Sequence, residues 1–230
     1  MLELVGHYGG DLSHALSAWT STSRELTPDK MDRIPNLLKM LADNNHHTPF
    51  EKSCLHFLCR VDQATHIHLL KHRIGVSING ESARYKELKE DDPHLPLDWK
   101  GVPVGDLKDV SPVLTDWHTA LRVFSAGAND LYHKCLSDLT NTLGRKRAKE
   151  SARFFKTMNS QITLDVMFNW RSFAHFYKLR AADDAQAEVR QLAEGMLELV
   201  IGIPDQPFKH TMSAFNMPQR PLEAQQEPVL

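Results

Sequence analysis

Hydrophobic residues recur at helical spacing in several stretches and once as a short unbroken run, and these two patterns set the first picture of the fold. Leu12, Leu16 and Trp19 share one helical face behind Gly9-Gly10, so the first 25 residues read as a strand or turn followed by a helix. Thr27-Pro28-Asp29 reads as a helix start with proline in the first turn; Met31, Ile34, Leu37, Leu38 and Leu41 follow on one face, and Pro35 marks a kink or restart. The run SCLHFLCRV, Ser53 to Val61, is expected to be a strand buried on at least one face. Asp62 is placed to cap a helix running to about Arg73, after which Ser77-Ile78-Asn79-Gly80 predicts a tight turn.

From Lys86 to Val110 the chain is charged, contains proline and lacks periodicity, which predicts a surface excursion. The clearest helical pattern starts at Ser111-Pro112 and runs to about Leu139. Its stripe of Val113, Trp117, Leu121, Phe124, Ala128, Leu131 and Cys135 is expected to pack on a sheet or on another subunit. A further helix is predicted from about Asp184 to Val200, and the five prolines after Gly202 predict an extended tail. Strands before and between long helices define an α+β chain, read as one domain over residues 1–201 with a tail over 202–230.

Composition narrows the functional classes. A chain of 230 residues with 41% hydrophobic content can bury one sizeable core. No stretch approaches the ~18 uninterrupted apolar residues of a membrane helix, and MLELVGHYGGDLSH carries no basic leader with an apolar block, so a soluble cytoplasmic protein without a membrane partner is expected. Cys54, Cys59 and Cys135 lack zinc-type spacing and are expected to be packing residues. The net charge of -2 sets 27 basic against 29 acidic side chains, so any anion site must come from local clustering. The run Arg145-Lys146-Arg147-Ala148-Lys149 offers a nucleic-acid reading, but near-neutral charge and only 8% aromatics favour a solvated helix start.

Local clustering is found at Lys71-His72-Arg73, followed after eight residues by Ser82-Ala83-Arg84-Tyr85. Arginine offers a planar fork of donors to phosphate oxygens, and Ser82 with turn backbone N–H groups can satisfy remaining lone pairs. Taken alone, a KHR triplet is more often the solvated end of a helix. Three ordered blocks decide the matter: His46-His47-Thr48-Pro49-Phe50-Glu51; His72 to Tyr85; and Ala152-Arg153 through Asn169-Trp170-Arg171-Ser172 to Leu179-Arg180-Ala181, Asp183 and Ala185-Gln186 with Glu188. In order and approximate spacing they resemble the flavin-dependent thymidylate synthases, whose signature is Arg-His-Arg, seven residues, then Ser-x-Arg-Tyr.

That resemblance implies an antiparallel sheet packed with long helices, FAD as cofactor, and methylene-tetrahydrofolate and NADPH as co-substrates in methylating dUMP. It implies a homotetramer with flavin at subunit interfaces. Thr48, Glu51, Lys71, His72 and Arg73 would meet the flavin from one subunit, and Asn169, Arg171 and His175 from another, with His46 near the folate-binding face. Ser82, Arg84 and Arg153 would hold the phosphate and sugar, with His68 and Glu81 at neighbouring nucleotide positions, and Arg180 would contact the uracil. None of the cysteines lies in a Pro-Cys-His context, in keeping with a family that attacks without a cysteine nucleophile. His68 and His72 have the i, i+4 spacing of helical metal ligands, but both fall inside the flavin-family blocks and no metal is expected.

The chain departs from the family pattern in five places. Lys71 replaces the first arginine, an extra residue lies near Gly75-Val76, and Gly80 with Glu81 stands for the acidic residue after Asn79. His68 replaces a glutamine, and Ala18-Trp19-Thr20-Ser21 replaces Ala-Arg-x-Ser. A sibling reaction that finishes with water and yields a hydroxymethylated nucleotide is the alternative these departures raise.

Overall fold

The computed structural model describes residues 1–88, 91–106, 111 and 113–219. Four strands, β1 (Leu2–Tyr8), β2 (Cys54–Asp62), β3 (Val76–Gly80) and β4 (Gln161–Phe168), form one sheet in the order β1-β2-β4-β3. β1 pairs antiparallel with β2 from Leu2↔Cys59 to Tyr8↔Cys54, with a bulge between Leu4 and Gly6. Both inner strands alternate as a half-buried strand must: Leu55, Phe57, Cys59 and Val61 in β2, and Ile162, Leu164, Val166 and Phe168 in β4, are buried. Mixed α and antiparallel β structure is what the pattern predicts. Where the sequence reading expects one core, packing divides the chain into two compact units.

The first unit comprises Met1–Cys59, His68–Asn79 and the described residues from Asp165 to 219. It contains α1 (Asp11–Trp19), α2 (Pro28–Asp32), α3 (Ile34–Asp43), a 3-10 turn (Thr48–Glu51), α7 (Trp170–Arg180), α8 (Ala187–Ile201) and α9 (Lys209–Ala214). Pro35 sits in the first turn of α3 and restarts the helix. Aromatic rings dominate the core: Phe57 lies 5.9 Å from Phe173, and Trp170 stacks on Phe208 at 5.0 Å. Phe208 belongs to the region expected to be an extended tail. Instead Phe208, Met212, Ala214 and Met217 are buried, because an apolar residue every few positions outweighs the local effect of Pro204 and Pro207. Residues 220–230 lie outside the described residues.

A buried polar chain ties the two ends of this unit together. Asp11 accepts from the backbone N–H of His210 and Thr211 at 2.8 and 2.7 Å and from the Thr211 hydroxyl at 2.5 Å. With its proton committed to Asp11, Thr211 Oγ1 can only accept from His14 Nδ1, 3.0 Å away, so His14 Nε2 accepts from Ser53 Oγ at 2.9 Å. His14 is fully buried, and burial pushes its pKa down to about 4. The folded chain resists a proton that the unfolded chain accepts near 6.5, so stability is lost as pH falls from about 6.5 to about 4 and levels off below. The full loss is about 3 kcal/mol, and His72, shifted down likewise, adds to it. Urea titrations at stepped pH should show this slope, and His14→Gln should flatten it while lowering stability near pH 7.

The second unit comprises the described residues of Arg60–Ile67 and Gly80–Leu164. It holds α5 (Trp117–Leu143), α6 (Arg145–Ala152) and a 3-10 turn (Arg153–Phe155); α4 (Gln63–Leu69) begins in it and ends in the first. Tyr132, Leu136, Ala148 and Ala152 form its core, with Leu88, Cys135 and Leu139 packed against them. α5 starts later than predicted, because Asp116 is the cap: Oδ1 accepts from Thr119 N at 2.7 Å and Oδ2 from Gly101 N at 2.9 Å. Pro112 lies outside the described residues.

The predicted stripe is also displaced. His118, Ser125, Asn129, Tyr132 and Leu136 face inward, while Val113, Trp117, Phe124 and Leu131 are exposed. The inward face is polar because it holds the segment after Lys86 in place. Tyr132 Oη accepts from Leu88 N at 2.9 Å, Lys156 bonds Asp91 and Asn129 at 2.8 Å each, and Asn159 Nδ2 donates to the His94 carbonyl at 2.9 Å. The predicted surface excursion is therefore a strap fixed by side-chain bonds over its described residues. Among the described residues, no helix is long and apolar enough to cross a membrane.

Candidate functional site

The Lys71-His72-Arg73 segment does not continue the preceding helix. α4 ends at Leu69, four residues short of the prediction, and the chain tightens through bonds from Lys71 N to the His68 carbonyl and from His72 N to the Leu69 carbonyl. Gly75 then turns the chain at φ +65°. The predicted Asn79-Gly80 turn is absent: both residues end strand β3, and neither has the positive φ that such a turn requires.

Gly75 also fixes where the segment lies. Its carbonyl accepts from Asn169 N at 3.0 Å, Ser172 Oγ donates to the Ile74 carbonyl at 2.5 Å, and Asn169 Oδ1 caps α7 by accepting from Ser172 N at 2.9 Å. A Cβ at Gly75 would come within 2.3 Å of Asn169 Nδ2 and of Ser172 Oγ, and both side chains are already held, Asn169 through Oδ1 and Ser172 through Oγ. Gly75→Ala should therefore lower stability by about 1–2 kcal/mol from the left-handed backbone alone. It should also weaken anion binding in the adjoining cavity, read by thermal denaturation and by FAD titration.

That cavity, about 660 Å³, lies in the first unit. Lys71, His72 and Arg73 form one wall, and Arg171, Ala174, His175 and Lys178 form another at the i, i+3, i+4 and i+7 spacing of one helix face. His47, Phe215 and Asn216 close it. Glu51 bonds Arg171 at 2.5 Å and so orients its guanidinium. The two groups expected from different subunits thus line one cavity of one chain. Of the other predicted flavin residues, Asn169 is the α7 cap, and Thr48 opens the 3-10 turn that positions Glu51. His46 and Thr48 are exposed and do not line the cavity. Lys178 and His47 were missed; Lys178 was legible as the position two turns beyond Arg171.

Arg180, at the end of α7, donates from Nε to His72 Nε2 at 3.0 Å. Burial, the Arg180 charge, His175 and His68, in that order, push His72 down to about 4, so the imidazole is neutral. The donor set fits a diphosphate-bearing cofactor. Lys71, Arg73, Arg171 and Lys178 converge on a cavity within the ~300–1,000 Å³ of small-molecule sites, and its one lining carboxylate, Asp43, pairs with Lys39. Among the described residues, no three His, Cys, Asp or Glu side chains are grouped to hold a metal.

The predicted nucleotide residues fall in two places. Ser82, Arg84, Glu81 and Arg153 belong to the second unit; His68 and Arg180 belong to the first. Ser82 Oγ accepts from Arg84 N at 3.3 Å, and Arg84 Nε bonds Glu150 at 3.2 Å, leaving its terminal nitrogens free of that carboxylate. Glu150 also takes Arg147, and the two arginines, Arg84 foremost, hold its pKa down. Glu81 is tied to Lys86 and accepts from Thr163 N at 3.2 Å, so it pins the chain after β3 to β4. Arg153 is exposed in the turn after α6. The basic run is the exposed face of α6, with Arg145 bonded to Glu87 at 3.0 Å and Lys149 to the Tyr85 carbonyl at 2.8 Å.

Comparison with solved structures places the fold. The chain superposes with TM-score 0.72 on a UMP/dUMP methylase, PolB, from Streptomyces cacaoi bound with 5-Br dUMP; 96% of this chain and 97% of that one are covered at 23% identity. Residues 3–203 match the family model described as thymidylate synthase complementing protein, and the chain belongs to that family, the flavin-dependent thymidylate synthases. Proteins named flavin-dependent thymidylate synthase from Thermosipho melanesiensis and Halobacterium salinarum are 32% and 28% identical to it. The alignments cover 84% and 79% of this chain and 81% and 75% of those relatives.

Proposed function

We propose that the chain transfers a one-carbon unit from methylene-tetrahydrofolate to C5 of dUMP, forming dTMP, with FAD as cofactor and NADPH as reductant, in the cytoplasm. The observation that carries this reading is the cationic cavity built from the KHR segment and the Arg171–Lys178 face of α7. Membership of the family supports the same reaction. Bound flavin would supply the carbon relay and the hydride. Lys71, Arg73, Arg171 and Lys178 would hold its phosphates, with Arg171 oriented by Glu51. Ser82, Arg84 and Arg153 would hold the nucleotide phosphate and sugar, and His46 would face the folate.

Arg180 has the role that bears on rate. C5 of uracil attacks an electrophilic methylene only when charge developing on a ring carbonyl is stabilised. A guanidinium whose Nε is fixed by His72 presents its remaining donors in a set direction. The chain would act as a homotetramer: Trp117, Phe124 and Leu131 leave an exposed apolar row on α5 that a second copy would cover.

Loss of tritium from C5-labelled dUMP tests the reaction. Release that needs both FAD and methylene-tetrahydrofolate supports it; no release under those conditions removes it. The hydroxymethylating sibling remains the second reading, favoured by Lys71 and by the lengthened turn at Gly75, and it would release the same label with a different product.

A further inference from the structure

We propose that His72 is a positioning residue for Arg180: a neutral imidazole, protonated on Nδ1, whose Nε2 lone pair holds the guanidinium by its Nε–H. This rests on the assignment of Arg180 to the uracil carbonyl, and it gives His72 a task separate from lining the cofactor cavity.

Three features of the first unit carry the inference. The Nε-to-Nε2 distance is 3.0 Å, and a guanidinium can only donate, so the imidazole nitrogen must be the acceptor. The ring cannot swing away freely: Phe176 packs edge-on against it at 5.1 Å and 84°, and the His175 ring lies 6.2 Å away. Arg180 is only partly buried at the helix end, where an unanchored side chain would sample many rotamers. One directed bond at Nε removes much of that freedom and leaves both terminal nitrogens available. The groups facing His72, namely Arg180, His175 and His68, are all basic. They disfavour the imidazolium, which would have no lone pair to offer and would repel Arg180.

His72→Phe keeps a ring against Phe176 but removes the acceptor; His72→Gln places a carbonyl oxygen near the Nε2 position. At saturating FAD, carbon transfer is expected to fall about ten- to a hundredfold in the phenylalanine variant and to recover substantially in the glutamine variant. In an Arg180→Ala background, His72→Phe should have almost no further effect on carbon transfer, since a residue acting through Arg180 loses its purpose with it. Full additivity would overturn the proposal.

Nitrogen NMR of isotope-labelled histidine reads the pairing without turnover. His72 should show a proton on Nδ1 and an unprotonated Nε2, and its pKa, held down to about 4 by burial first and by the Arg180 charge second, should rise in Arg180→Ala by the part that the guanidinium contributes. A His72 resonance indifferent to Arg180→Ala would also overturn the proposal. An inactive wild-type enzyme with the expected resonances would instead count against the proposed reaction and leave the pairing standing.

Discussion

Arg180→Lys is expected to leave a folded, flavin-binding protein whose carbon transfer is slower by about tenfold or more. The substitution keeps the charge and loses the fork. In the native chain the Nε–H is spent on His72, and the terminal N–H groups remain for a second partner. A lysine ammonium is a single point on a flexible stem that must choose between the imidazole and a uracil carbonyl. Losing one preorganised donor costs about 2.7–4 kcal/mol in comparable oxyanion sites; a lysine that recovers part of the electrostatics still forfeits the geometry. Reduction of the flavin by NADPH needs no activated uracil carbon and should be less affected. Stopped-flow absorbance on the two half-reactions separates the effects, and unimpaired carbon transfer would remove Arg180 from the chemistry.

Arg84→Ala should weaken nucleotide binding by about 1.5–3 kcal/mol, the contribution of a charge-assisted bond to phosphate, with FAD occupancy retained. The two ligands are separable because Arg84 is not among the residues that line the cationic cavity. Folding should tolerate the change: Arg84 is exposed, and its ionic partner Glu150 keeps Arg147 at 3.5 Å. Isothermal titration with dUMP and with FAD decides it. Equal loss of both would assign Arg84 to structure, and unchanged dUMP affinity would remove it from the nucleotide site.

How far the sequence could be read depended on which force shaped each element. Where burial dominates, the periodicity was sufficient: the run from Ser53 to Val61 became β2, and Pro35 restarted α3. It misled on which face of α5 turns inward: that face carries Ser125 and Asn129 to bond the strap, and the apolar row of Trp117, Phe124 and Leu131 stays exposed, as packing on another subunit requires. It also misled after Gly202, where proline spacing concealed a buried aromatic. At the site, residue types announced the cationic wall of Lys71, His72 and Arg73, and the family resemblance singled out Arg171 and His175, which line the same cavity. The bond between His72 and Arg180 was not, because it joins positions 108 residues apart. Nor was the cap by Asn169, which depends on Gly75 leaving room for its side chain.

The central claim is that this chain methylates a pyrimidine nucleotide at C5. Its most direct test is the mass of the nucleotide recovered after incubation with dUMP, methylene-tetrahydrofolate, FAD and NADPH. The account predicts dUMP with one methyl group in place of a hydrogen, formed only when FAD is present and lost in Arg180→Lys at matched times. A hydroxymethyl group would transfer the same cavity and residues to the sibling reaction, and unaltered dUMP with a flavin-loaded protein would contradict the account.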